Sequence, residues 1–211
     1  PFQTGDILRI LPKNKECERQ MSRLLRVAVL ALLAGCGGGY DSPPRNLDDA
    51  CSIVSQRPKY LRAMNKTERR WGVPVHVQMA TIYQESKFDG DARTPVSYAL
   101  GIIPMGRQSS AYGYAQALDG TWDEYRHSTG NRRAKRDRID DATDFMGWYM
   151  NKTRARNGIA LSDARNQYLA YHEGHTGYAR GSYRSKSWLI RVADEVASRA
   201  STYRVQLARC R

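Results

Sequence analysis

The chain has 211 residues, enough for one domain rather than several, and no internal repeat marks it as an array. It carries 34 Lys and Arg against 21 Asp and Glu, a formal net charge of +13. That excess points to anionic partners (nucleic acid, anionic lipid, carboxylate-rich polymers) and equally to a solvated basic surface, and it says nothing about fold. Residues 1–20 do not read as part of a folded domain. Met21 opens a second beginning, with Arg23 and Arg26 followed by the apolar run Val27-Ala28-Val29-Leu30-Ala31-Leu32-Leu33. A positive segment, a short apolar segment and small residues after it form a secretory signal. The run is too short for a membrane-spanning helix of roughly 20 apolar residues. A buried core helix fits poorly, because Gly37-Gly38-Gly39 and Pro43-Pro44 follow at once.

Residues 36–45 read as a Gly/Pro tether, and the folded domain is expected over 46–211. A first helix is predicted from Asn46–Asp48 to before Pro58, and a second from Pro58 to about Trp71. A third is predicted from Val75, with Val75, Met79, Ile82 and Tyr83 on one face and Glu85 in its last turn. Pro74 suits its first turn. Asp119 is placed as the cap of a short helix through Trp122 and Tyr125 that ends at Gly130. The basic run Asn131–Arg138 is a loop. Asp140 or Asp141 starts a helix with Ala142, Phe145 and Tyr149 inward, ending at Asn157-Gly158. Ser162 is read as the cap of a helix through Tyr168 and Tyr171. Ser187 is read as the cap of the last, with Leu189, Val192, Val196, Tyr203 and Leu207 inward. The expected class is all-α, with no clear strand. The apolar, Gly/Pro-punctuated stretch near 94–110 is a short insertion, either irregular or a small hairpin. Packing against the domain is favoured for it, since an exposed Ile102-Ile103 costs solubility.

Glu85 is not explained by local preference, because a helix C-terminus disfavours a carboxylate. A general acid would explain it, since raising a Glu pKa makes a proton donor near neutral pH. Two later segments bear on this reading: Ser110-Ala111-Tyr112-Gly113-Tyr114-Ala115-Gln116, and Tyr168-Leu169-Ala170-Tyr171-His172-Glu173-Gly174. With Gln84-Glu85-Ser86 they stand in the order of the lytic transglycosylases of the soluble-lytic-transglycosylase type. The catalytic module of that family has Glu-Ser, then Gly-Leu-Met-Gln, then Ala-Tyr-Asn-Ala-Gly. The chain resembles that family over roughly residues 60 to 205.

The resemblance implies a lysozyme-like fold and peptidoglycan glycan strands as substrate, cut between N-acetylmuramic acid and N-acetylglucosamine. Glu85 would be the sole general acid and base, with no cofactor. The remaining site residues would be Gln84, Ser86, Gly113, Tyr114, Gln116, Tyr171 and His172. Ser86 is either a substrate-contacting hydroxyl or a helix-end residue bonded to backbone. Gly113 would let the backbone approach a sugar, and Gln116 would bond sugar groups without adding charge. Tyr171 is either the hydroxyl beside Glu85 or a core aromatic. Tyr83, Phe88 and Tyr114 are candidate apolar walls. His172 departs from the family pattern, which has Asn there, though like Asn it can donate and accept hydrogen bonds. His172, Glu173 and His175 lack the spacing of the zinc-protease helix, so no metal is expected.

Leu33-Ala34-Gly35-Cys36 resembles the lipobox of bacterial lipoproteins, in which the Cys is lipidated and becomes the mature N-terminus. This implies anchoring to a membrane through Cys36 without spanning it. Gly37 after the Cys implies the periplasmic side of the outer membrane. Residues 21–35 would be the signal and residues 1–20 an upstream extension. Export makes nucleic acid an unlikely partner and leaves peptidoglycan, and other wall-remodelling proteins, as expected ones. In an oxidising compartment Cys51 and Cys210 are expected to form a disulfide between the first and last helices, the alternative being two free thiols. Two other functions fit the same residues. A hydrolytic muramidase would need a second carboxylate, drawn from Asp89, Asp91, Asp119 or Asp123. A wall-binding lipoprotein without catalysis would not depend on Glu85.

Overall fold

In a computed structural model of the protein, residues 42–100 and 102–210 are described. The expected signal segment, Cys36 and most of the tether lie outside them.

Asp49 accepts a hydrogen bond from the Cys51 N–H and so caps α1, Ala50–Gln56. Pro58 opens α2, Pro58–Trp71, where its missing N–H costs nothing, and Gly72 ends it in the left-handed conformation. Pro74 stands just outside α3, Val75–Ser86. This helix is buried on nearly all sides rather than on one face: Val75, Val77, Gln78, Met79, Ala80, Thr81, Ile82 and Ser86 are all covered. It packs against α2 and three later helices: α5, Ile139–Asn157; α6, Ala164–Ala179; and α7, Ser187–Leu207. Gln78 fits this core because its amide donates to the Met64 and Val73 carbonyls.

Between α3 and α4, Asp119–Thr129, the insertion forms an antiparallel hairpin of β1, Val96–Ala99, and β2, Ile103–Arg107. Val96 pairs with Arg107 and Ala99 with Ile103, with an irregularity between Ser97 and Tyr98. The hairpin is one of the two forms expected, but the favoured packing against the domain does not occur. Leu100 is 90% and Ile102 79% exposed, and Tyr98, Ile103 and Met105 are exposed with them. Four residues of alternating polarity were too few to read as a strand.

The helix starts also differ in detail from the expected ones. Asp119 is the first residue of α4, not its cap, and its carboxylate instead meets Arg136 at 2.6 Å. Asp163, not Ser162, caps α6 by accepting from the Asn166 N–H. Ser187 is the first residue of α7 and gives no cap bond. Gly130 and Gly158 end α4 and α5 as expected. A short 3₁₀ turn, Ser182–Ser185, joins α6 to α7.

The core has two poles. Trp122, Tyr125, Phe145 and Trp148 form an aromatic cluster between α4 and α5. Beside it the buried Asp144 accepts from Arg70, Trp71 and Tyr125, so its charge is paired and fully bonded. On the other side α3 lies on α7, whose Leu189, Ala193, Val196, Ala200 and Tyr203 are buried. Cys51 and Cys210 form a disulfide with Cα atoms 5.3 Å apart, tying α1 to the end of α7 as expected. Mostly helical with one small sheet, the domain has the expected lysozyme-like all-α character.

Candidate active site

Glu85 lies one residue before the end of α3, where α3 faces α6. Part of the side chain reaches solvent, but protein crowds its carboxyl. Burial raises its pKa to about 7; a hydrogen bond from the Tyr168 hydroxyl and the positive charge of Lys87 act in the opposite direction. Among the described residues, the main groups that act on it include no carboxylate. Near neutral pH the group therefore stands close to half-protonated, the condition in which it can both give and take a proton.

Tyr168 and Tyr171 sit on one face of α6, three residues apart, and both phenols feel the Glu85 charge. Burial, then Glu85, holds both phenols protonated well above the usual tyrosine range. They divide the work. Tyr168 donates to Glu85. Tyr171 donates to the Ala115 carbonyl at 2.6 Å and so fixes the 113–117 turn against α6. The sequence reading left Tyr171 as either the hydroxyl beside Glu85 or a core aromatic and gave Tyr168 no role at the site. The spacing of three already put both on one face, and it was the missed signal.

Ser86 joins α3 to the same turn. Its buried hydroxyl lies 2.9 Å from the Tyr114 carbonyl and 3.3 Å from that of Ile82. The backbone alternative for Ser86 is thus the one realised, and it reaches across 28 residues rather than only within its helix. Tyr114 does not line a groove: it is 1% exposed, and its hydroxyl meets that of Tyr60 at 3.1 Å. Phe88, also expected as a wall, is fully buried and stacked on Tyr60. Tyr83 remains partly exposed, but with Gln84 it lines a separate cavity between α3 and α7.

The turn itself is built on close backbone contact. Gly113 has φ +78°, and a Cβ there would lie 2.2 Å from the Arg136 carbonyl oxygen. The close approach foreseen for Gly113 is therefore to Arg136 of the basic loop, whose carbonyl also accepts from the Tyr114 N–H. Arg136 in turn donates to the Ser110 and Ala117 carbonyls. Gln116, itself left-handed at φ +46°, donates its amide to the Ala92 and Gly113 carbonyls. Its Oε1 has no hydrogen bond among the described residues and is left as an acceptor.

At the far end of the site, α6 breaks at Gly174, with φ +74° and ψ +160°. His172 is exposed on the preceding turn, its ring edge-on to Trp188 at 5.2 Å and its Nδ1 3.1 Å from Glu173. Burial alone would raise the Glu173 pKa, but hydrogen bonds from Lys186, Ser182 and His172 hold it down to about 2. Glu173 thus locks the break in α6 to the start of α7. His175 turns elsewhere, stacked on Tyr149 and bonded to Thr153 at 3.0 Å. The two histidines therefore do not converge.

Each of the four aspartates considered as a second carboxylate has a partner of its own. Asp89 closes a turn on the Asp91 N–H, Asp91 meets Arg93, Asp119 meets Arg136, and Asp123 meets Arg126.

The search of curated proteins finds no match. Residues 24–210, most of the chain, match the family model described as the transglycosylase SLT domain. A helix-end Glu with a raised pKa, two tyrosines facing it from α6 and a turn bolted between them thus belong to a chain that is a member of the transglycosylase SLT domain family, whose members act on peptidoglycan.

Proposed function

We propose that the protein is a lytic transglycosylase that cleaves the β-1,4 bond between N-acetylmuramic acid and N-acetylglucosamine, leaving 1,6-anhydro-muramic ends. The observation that carries this reading is a single carboxyl at the end of α3, bonded by Tyr168, with a pKa of about 7 and, among the described residues, no carboxylate as a main group acting on it. Hydrolytic glycosidases generally use two carboxyl groups, one to activate or replace water. A transglycosylase needs one. Protonated Glu85 gives its proton to the glycosidic oxygen as the C1–O bond breaks, and the leaving sugar departs with a free hydroxyl. The N-acetyl group of the muramic acid shares the positive charge at C1. Glu85, now ionised and held by the Tyr168 hydroxyl, takes the proton of the same sugar's C6 hydroxyl, and that oxygen closes on C1. The proton returns to Glu85, and no water is consumed.

On this reading Gln116 offers its free Oε1 to a sugar N–H or O–H, and Tyr171 and Ser86 hold the turn that carries it. Cys36, lying in the lipobox-like segment, would anchor the enzyme to the envelope's outer membrane, where a disulfide such as Cys51–Cys210 forms and peptidoglycan is met.

Mass spectrometry of muropeptides released from purified sacculi tests the chemistry. Products one water lighter than hydrolysis products, absent with Glu85→Gln, are expected. Reducing-end products would replace this reading with a muramidase, and cleavage by Glu85→Gln would remove Glu85 from the chemistry. The anchor is tested separately, by radiolabelled palmitate incorporation that Cys36→Ser should abolish.

A further inference from the structure

The cavity between α3 and α7, about 460 Å³, belongs to no step of the proposed reaction. Tyr83 forms its floor, and two cations lie on that ring: the Lys87 ammonium 3.6 Å and the Arg199 guanidinium 3.4 Å from its centre. Val196 adds apolar surface, and Asp48 and Glu195 are also in the lining. Arg199 is already paired with Asp48 at 2.9 Å. Among the described residues, Lys87 and Glu195 make no ion pair. Lys87 feels the charges of Glu195 and Asp48 without closing an ion pair with either, so the cavity presents a cation and an anion around an aromatic ring.

Lys87 occupies a position where a lysine is out of place. It ends α3 in the left-handed conformation, φ +52°. Glycine is the usual residue there, because a Cβ makes that conformation unfavourable. Strain of this kind persists where the side chain is needed for something else. Its neighbour Phe88, also left-handed, fills the core against Tyr60. Lys87 fills no core: it is exposed, and its ammonium lies against Tyr83 at the cavity.

We propose that this cavity binds the zwitterionic amino-acid end of the peptide borne by the glycan strand, with Lys87 taking its carboxylate and Glu195 its ammonium. The reading rests on peptidoglycan as substrate, since the diamino acid of wall peptides offers such an end, with carboxylate and ammonium on one carbon. Tyr83 and Val196 would cover the side chain's methylenes. Gln84, the residue before Glu85 on α3, is part of the cavity's lining.

Calorimetric titration with the tripeptide L-Ala-γ-D-Glu-meso-diaminopimelate, acetylated at its N-terminal amine, tests the site directly. The chain should bind this peptide, and at least 10-fold more weakly once the free side-chain amine is acetylated too. Glu195→Gln should weaken binding by a similar factor. Lys87→Gly should also weaken it, while the melting temperature stays level or rises, because glycine relieves the left-handed strain; a folding defect would move both the other way. Equal binding by the chain and both variants, or no binding at all, overturns the proposal. The peptide has no glycosidic bond, so its binding is read apart from turnover. Cleavage of peptide-free strands without peptide binding ends this proposal alone; peptide binding with every strand left uncut ends the transglycosylase reading and leaves the site.

Discussion

Glu85, the proposed acid, is held neutral at a cost to the fold. Its native pKa of about 7 lies above the ordinary 4.5, so folding favours the neutral form. Below pH 4.5 the group is protonated folded or unfolded, and its burial is neutral in this respect. As pH rises to 7 the unfolded chain ionises first and stability falls; above 7 the loss is complete, at most about 3 kcal/mol for a shift of this size. Glu85→Gln should therefore melt higher than the native chain at pH 8 and match it near pH 4.5, a comparison calorimetry makes directly. A melting difference that does not change with pH would mean that the carboxyl is not held neutral. On the proposed mechanism the same value sets the activity profile: turnover should fall as pH rises through about 7, as Glu85 loses its proton. Tyr168 donates to the ionised form, so Tyr168→Phe should move that limb to higher pH and cut kcat by about 10- to 100-fold, the range for a hydrogen bond to a charged group. An unchanged limb would separate Tyr168 from Glu85. Glu85 drew attention in the sequence because it broke a local rule at a helix end. Tyr168 was not, because a phenol that packs and a phenol that donates look alike in sequence.

At the scale of elements, the site is a joint between three pieces: the end of α3, the 113–117 turn and the face of α6. Ser86 and Tyr171 each donate to a carbonyl of that turn, and Gly113 lets it lie on the Arg136 backbone. Gly113→Ala adds a Cβ where an oxygen already stands, in a conformation L-residues avoid, and should cost about 2–4 kcal/mol. Chemical denaturation measures it; a loss under 1 kcal/mol would mean that the turn can shift away from Arg136. Helices were the most legible elements. Left-handed Gly72, Gly130 and Gly158 end theirs where the sequence placed the stops. Starts were read less well, since a run such as Ser162-Asp163 offers two candidate caps and only the backbone chooses. The hairpin was the hardest to read. Its strands are four and five residues long, and its apolar side chains point outward, against the burial rule that reading a sequence relies on. The dual use of Arg136, a basic-loop residue whose guanidinium and carbonyl both hold the turn, was equally hidden, because charge in a loop reads as solvated.

For the whole molecule, order of motifs carried more than any single residue. Glu85, Gln116 and Tyr171 are far apart in sequence, and only their sequence order suggested one fold; the structure ties Ser86, next to Glu85, to Gln116 and Tyr171 through backbone carbonyls of one turn that no side-chain pattern encodes. The cysteines were legible by another route, since compartment and position paired Cys51 with Cys210. Opening that bridge, with reductant or by Cys51→Ser with Cys210→Ser, should cost up to about 4–5 kcal/mol through a loop of this length, seen as a lower urea midpoint. An unchanged midpoint would mean that α1 and α7 hold together without it. The bridge also has a topological meaning. With Cα atoms 5.3 Å apart, residues 51–210 form a covalent ring, and the order in which the chain runs around it matters less than the ring itself. One backbone cut at the exposed hairpin tip, where loops are most readily nicked, would leave a single molecule of unchanged mass apart from one added water, separable into two pieces only after reduction. A circular permutant that begins at the tip and joins residue 50 to residue 211 by a short linker would trace the same ring from another starting point.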